Sequence, residues 1–136
     1  MISTRGRYAL RVMLDIAEHS SDGYIPLKDI ARRQEISKKY LETIIRKLVK
    51  EKLVEGSSGK GGGYRLCRKP DEYTAGEILE ASEGPFISVS CLADKTNKCP
   101  RAFKCQTLPL WEEFDKITHD FFYSKRLVDL INNQQN

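Results

Sequence analysis

Residues 27–66 read LKDIARRQEISKKYLETIIRKLVKEKLVEGSSGKGGGYRL, and the order of periodicities in this stretch decides the fold. Leu27, Ile30 and Ala31 recur at helical spacing over 27–34. Pro26 suits the start of that helix, where the N–H it lacks would have no intrahelical partner. Gln34-Glu35-Ile36 breaks the pattern, and Ser37 is a capping residue for a further helix over 38–51. Leu41, Ile44, Ile45, Leu48 and Val49 form one apolar stripe of it. Lys38, Lys39, Glu42, Thr43, Arg46, Lys47 and Lys50 take the opposite side. A helix, a very short turn and a basic helix predict a helix-turn-helix. Leu53-Val54-Glu55 and Tyr64-Arg65-Leu66-Cys67 then flank the turn SSGKGGG, which reads as a hairpin. A hairpin after a helix-turn-helix is a wing.

Outward from this stretch the pattern is mainly helical. Ser3 is placed to cap a helix over 4–19, whose inward face carries Tyr8, Val12, Met13, Ile16 and Ala17. Tyr24-Ile25 reads as a stub of strand. Thr74 caps a helix over 75–83, which Gly84-Pro85 ends. Residues 86–106 are irregular. A long helix over 107–123 follows, with Leu110, Trp111, Phe114, Ile117, Phe121 and Phe122 on a broad apolar face. Ser124 is placed to cap a last short helix carrying Leu127, Val128, Leu130 and Ile131, and NNQQN at 132–136 reads as a disordered tail. The expected architecture is mainly α with a small β wing.

The net charge of +4 conceals an asymmetry. Residues 1–69 hold 16 Lys and Arg against 8 Asp and Glu, whereas 70–136 hold 7 against 11. A basic front half suits a polyanion, and an acidic back half suits a module that does not touch it. No apolar run approaches the ~18 residues of a membrane span. Scattered charge in MISTRGRYALRVML argues against a secretory signal and for the cytoplasm. No Ser/His/Asp set or paired catalytic carboxylates appear. The glycine turn lacks the Lys-Ser/Thr pair and following helix of a nucleotide loop, so an enzyme is not expected.

The candidate DNA-contacting residues follow from these elements. Ser37, Lys38, Lys39, Tyr40, Glu42 and Thr43 occupy the first turns of the second helix of the motif, where base edges are met. Lysine and arginine suit guanine acceptors, and Glu42 suits a cytosine amino group; equally, Glu42 suits an i,i+4 pairing with Arg46. Arg5, Arg7, Arg11, Lys47 and Lys50 suit phosphate or solvent, and Lys60, Gly61 and Gly62 place a cation and close backbone approach at the wing tip. Cys91, Cys99 and Cys105 lie within CLADKTNKCPRAFKC, separated by seven and five residues. In a reducing compartment such thiols point to a metal or an iron–sulfur cluster. Zinc satisfies the same donors, and a loop without metal is the remaining alternative. Lys95, Lys98, Arg101 and Lys104 would offset thiolate charge.

RGRYALRVMLDIA, the 27–66 stretch and the EGP ahead of the cysteines resemble the Rrf2 family of bacterial winged-helix transcription regulators, over residues 1 to about 131. The resemblance implies a DNA-binding domain at 1–84, a cysteine-containing sensor loop at 85–106 and dimerisation helices at 107–131. It implies a homodimer joined through Trp111, Phe114, Ile117 and Phe121, reading a near-palindromic operator in double-stranded DNA. It also implies a [2Fe–2S] or [4Fe–4S] cluster on Cys91, Cys99 and Cys105 that reports iron, redox or nitric oxide status. The fourth ligand is unknown. Some members place a histidine three residues past the last cysteine, where Leu108 stands; others use an aspartate of the first helix, where Arg7 stands. Remaining candidates are a residue of the partner subunit, Cys67, His119, water or a small thiol. The family also contains cluster-free members controlled by a partner protein. The chain departs from the family pattern at Glu35, usually glycine, and at Ser58 and Lys60, usually arginine and proline.

Overall fold

A computed structural model of the chain describes residues 2–93 and 99–132. In chain order it contains α1 (Thr4–Glu18), α2 (Leu27–Gln34), α3 (Lys38–Lys50), β1 (Val54–Ser57), β2 (Gly63–Leu66), α4 (Ala75–Glu83), α5 (Leu108–Tyr123) and α6 (Leu127–Ile131). The mainly helical winged architecture is the one the periodicities predict. Lys95, Lys98 and the tail from 133 lie outside the described residues.

The core forms where the apolar stripes of α1, α2, α3 and α4 converge. Val12, Met13 and Ile16 of α1, Ile30 of α2, Leu41, Ile44 and Leu48 of α3, and Ile78 and Leu79 of α4 are all fully or almost fully buried. A buried aliphatic side chain of this kind contributes about 1.5–3 kcal/mol relative to exposure. β1 and β2 pair antiparallel, with Val54 opposite Leu66 and Ser57 opposite Gly63. The strand stub expected at Tyr24-Ile25 is a single bridge: Ile25 and Tyr64 exchange N–H···O bonds of 2.8 and 2.9 Å. A Cβ on Gly62 would lie 2.3 Å from the Ser57 carbonyl oxygen, so the wing turn closes only around a residue without one.

Two expected caps differ from what forms. Ser3 sits at the N-cap of α1, but its hydroxyl makes no capping bond. The Glu83 carboxylate, from the far end of α4, accepts instead from the N–H groups of Ser3 and Gly6. A carboxylate at a helix N-terminus also meets the positive end of the helix dipole. Ser124 does not cap α6; it ends α5, its hydroxyl donating to the Phe121 carbonyl oxygen at 2.6 Å. Arg126 is the residue that opens α6, its backbone N–H donating to Asp129 at 3.0 Å. Thr74 and Glu77 form the reciprocal cap expected of α4, each side chain accepting a backbone N–H at 3.1 Å.

The C-terminal elements are part of the same core. Ala75 N–H donates to the Lys125 carbonyl oxygen at 2.7 Å and Leu127 N–H to that of Tyr73 at 2.9 Å, and Leu127 is fully buried. At the α4–α5 crossing Gly76 admits the Tyr123 ring so closely that a Cβ would stand 2.3 Å from a ring carbon. α5 itself buries no residue completely, and Leu110, Phe114, Ile117 and Phe121 are 57, 41, 60 and 54% exposed.

Candidate DNA-reading surface and cysteine loop

α3 begins where α2 cannot continue. Glu35 ends α2 in the left-handed region, at φ 55° and ψ 44°. Only glycine takes that conformation freely, so the site costs about 1 kcal/mol here. Ser37 then caps α3, its hydroxyl accepting the Tyr40 N–H at 3.2 Å. That cap leaves Lys38, Lys39, Glu42, Thr43 and Arg46 exposed on one face. Thr43 donates its hydroxyl to the Lys39 carbonyl oxygen at 3.3 Å. Among the described residues, Lys38, Lys39, Glu42 and Arg46 form no ion pair, so the expected alternative pairing of Glu42 with Arg46 is absent. A shallow cavity of about 500 Å³ separates α3 from the wing, lined by Glu42, Arg46 and Val49 on one side and Gly56 and Tyr64 on the other. Lys60 and Gly61 are exposed at the wing turn.

Some residues expected at the DNA are held elsewhere. Lys47 is half-buried and donates to the Ser82 carbonyl oxygen at 3.3 Å, tying α3 to the end of α4. Tyr40 is half-buried against Tyr8, the rings meeting edge to face at 5.8 Å. Arg11 donates to both the side chain and the backbone carbonyl of Gln34. Arg5 is exposed, and Arg7 is exposed and donates to Thr4 at 3.4 Å. Two residues that the sequence reading did not single out shape the surface. Tyr73 is fully buried and its hydroxyl binds three backbone groups at the wing root. Asp15 is 2% exposed and receives the Arg33 fork. A carboxylate set between Met13 and Ile16 on an apolar face was the available signal for it.

The cysteine loop is attached at both ends to α5. Before it, Ser88 N–H donates to Asp115 at 3.1 Å. After it, Cys105 Sγ lies 3.4 Å from Thr107 Oγ1, just ahead of the first turn of α5. The Thr107 hydroxyl bond, aided by the Thr107 and Leu108 N–H groups and by Arg101, lowers the Cys105 thiol below its ordinary value. Cys91 and Cys105 are half-buried and Cys99 is exposed. Among the described residues no three His, Cys, Asp or Glu side chains come together as a metal-binding group. The donor chemistry fits a thiolate-held group, and the Cys105 thiol is lowered, but among the described residues the ligands are not assembled. His119 is engaged by its stack on Tyr123 at 4.4 Å and its contact with Asp120. Cys67 sits at the end of the wing, its thiol raised by burial and by Glu55.

A profile of the Rrf2 family, described as an iron-dependent transcriptional regulator, matches residues 2–133. The chain belongs to the Rrf2 family. It is 36% identical over 134 residues to the HTH-type transcriptional regulator IscR of Erwinia tasmaniensis, covering 98% of this chain and 80% of that one. Among solved structures it resembles CymR, the global cysteine regulator of B. subtilis, with a TM-score of 0.79 and 32% identity over 99% of this chain and 98% of that one. It also resembles T. potens IscR, with a TM-score of 0.76 and 32% identity over 99% and 88%. This Rrf2 member is accordingly a DNA-binding transcription regulator and not an enzyme. No described helix is long and apolar enough to cross a membrane.

Proposed function

We propose that this Rrf2 protein is a cytoplasmic, homodimeric regulator that reads a near-palindromic operator and whose grip on DNA is set by an iron–sulfur cluster. The observation that carries the DNA reading is the row of unpaired side chains Lys38, Lys39, Glu42 and Arg46 on the exposed face of capped α3. Lysine and arginine there serve guanine acceptors, while Thr43 and Glu42 add selectivity, since a carboxylate facing phosphate is otherwise unfavourable. Arg5, Arg7 and Lys60 add phosphate attraction without sequence information. Residues 1–84 together with the returning α6 (Leu127–Ile131) form the reading head, 85–106 the sensor loop and α5 the dimerisation helix. The short last helix expected to join the dimer packs instead on Tyr73 and α1. The apolar stripe of α5 supports the dimer: Leu110, Phe114, Ile117 and Phe121 are exposed within one subunit, and Trp111 beside them is half-buried.

Cys91, Cys99 and Cys105 would hold the cluster, and the fourth ligand is open. When bound, a cluster supplies a redox- and nitric-oxide-reactive iron centre held by thiolates. The chain's own part is mechanical. Holding such a group would draw Cys91, Cys99 and Cys105 together between the contacts Ser88–Asp115 and Cys105–Thr107. Because Thr107 immediately precedes α5 and Asp115 lies within its first half, that convergence would bear on the first turns of α5 and so on the spacing of the two reading heads. The unassembled thiols and the likeness to CymR favour a second reading, in which a partner protein or zinc takes the place of iron.

Anaerobic purification with iron and sulfide analysis, a visible spectrum and operator binding before and after cluster removal separates the two. Brown protein whose affinity changes on removal supports the cluster. Colourless protein, or a Cys91/Cys99/Cys105→Ala triple variant that binds DNA identically with and without iron, defeats it.

A further inference from the structure

Asp15, in the last turn of α1, is one of only two buried polar residues among the described ones. Its Oδ1 accepts from Arg33 Nη2 at 2.8 Å, and its Oδ2 accepts from Arg33 Nε and Gln34 Nε2, both at 2.9 Å. His19 lies one turn away, its ring nitrogen 2.8 Å from the Asp15 carbonyl oxygen. The network continues beyond the carboxylate. Gln34 Oε1 accepts from Arg11 Nε at 3.2 Å, and its backbone carbonyl accepts from the same guanidinium. Arg11 lies over the Tyr8 ring at 4.9 Å, and Tyr8 meets Tyr40 edge to face.

These contacts hold both sides of the turn between α2 and α3. Arg33 and Gln34 are the last residues of α2, immediately before left-handed Glu35. Tyr40 lies in the first turn of α3, three residues after the Ser37 cap. α1 therefore fixes where α2 ends and how α3 begins. Burying a carboxylate and a guanidinium has a desolvation cost, and a well-packed apolar pair of similar volume often serves stability as well or better. What the planar fork and the amide add is direction: bidentate bonds accept one geometry and reject neighbouring ones.

We propose that Asp15, Gln34 and Arg11 are positioning residues that fix the angle of α3 against α1, and through it the discrimination between operator and other DNA. The inference rests on the reading of α3 as the recognition helix. Base contacts demand placement within about 0.5 Å, whereas lysine and arginine reach phosphates from a range of angles. Loosening the network lowers operator affinity and leaves non-specific affinity and its salt dependence in place. This loss of discrimination separates positioning from a general loss of folded protein, which lowers both affinities together.

The test uses full-length protein, an operator selected by it from a random duplex pool, and a scrambled duplex of equal length, each titrated over a series of salt concentrations. Gln34→Ala removes the hub and leaves the Asp15–Arg33 pair. Arg11→Lys removes the fork and keeps the charge. Asp15→Asn removes the carboxylate itself. The expected result for Gln34→Ala and Arg11→Lys is about a 10-fold loss on the operator, or about 1.4 kcal/mol, with the scrambled duplex and the salt slope unchanged. Equal losses on both duplexes, or no loss on the operator, overturn the proposal. Should Asp15→Asn fail to fold, the two half-buried positions decide the question alone. Lys39→Ala, run alongside, must weaken operator binding. If it does not, the assignment of α3 fails; if it does while the network variants bind normally, only the positioning role fails.

Discussion

Replacing Tyr73 by Phe removes one oxygen atom from the centre of the reading head. That oxygen donates to the Leu53 carbonyl at 2.7 Å and accepts from the N–H groups of Cys67 and Arg68, both at 2.9 Å. The ring also lies under Arg68, whose guanidinium carbon is 4.2 Å from its centroid. Phenylalanine keeps the ring and its packing, so the loss is polar only. Each hydrogen bond is worth about 1 kcal/mol net, and a buried group left without a partner adds about 1–3 kcal/mol. Cys67 and Arg68 are exposed residues, their amide bonds to Tyr73 only part-buried, and the Leu53 carbonyl keeps a long 3.4 Å bond from Cys67. The expected cost is therefore about 2–3 kcal/mol, below a naive sum. For a chain of this length it corresponds to roughly 6–12 °C in Tm. Urea and thermal unfolding at one fixed protein concentration measure it. The fluorescence of a probe at the wing tip reports whether the wing frees itself before the core. A loss under about 0.5 kcal/mol would refute the view that this hydroxyl anchors the wing.

Gly76→Ala would ordinarily strengthen a helix by about 1 kcal/mol, but the new methyl overlaps the Tyr123 ring, so the sign reverses. The variant is expected to melt lower, and an unchanged or higher Tm argues against the α4–α5 crossing. Cys105 is expected to react with iodoacetamide faster than Cys67 in metal-free protein at neutral pH, because one thiol is lowered by Thr107 and the other raised by burial. Peptide mapping measures the rates, and Thr107→Val should narrow the difference. Burial and the hydrogen bond to Glu80 push the Tyr123 phenol up to about 12. Because the folded value lies above the unfolded one near 10, its contribution is complete below pH 10 and is lost as pH rises towards 12. Ultraviolet titration should show one late-titrating phenol fewer in Tyr123→Phe than in wild type, Tyr73, itself raised by burial, remaining in both.

The winged helical fold was legible because its signals are local. A change from 3.6-residue periodicity to a glycine turn between alternating runs marks the helices and the wing without knowledge of their neighbours. The exposed face of α3 follows from its stripe except at Val49, which the stripe places inward and the structure leaves 40% exposed. What stayed hidden depends on contacts far apart in the chain. Glu83 caps a helix that begins 79 residues earlier at Thr4, and no spacing rule links the two. Lys47 looks like its neighbours Arg46 and Lys50 until α4 is packed beside it. The three cysteines were obvious as a group, yet their spacing alone does not bring them together in space.

The pairing of Leu127 with Tyr73 has a wider consequence. The cysteine loop is a detour between two halves of a single core, with both of its feet planted on firm ground. A detour of that kind can lengthen, shorten or exchange its chemistry while the road on either side stays put. The seven-residue spacing between Cys91 and Cys99 is tolerable for this reason. By the same logic, a fragment cut after α4 would not yield an independent reader, because Leu127 of α6 plugs the floor of the first domain.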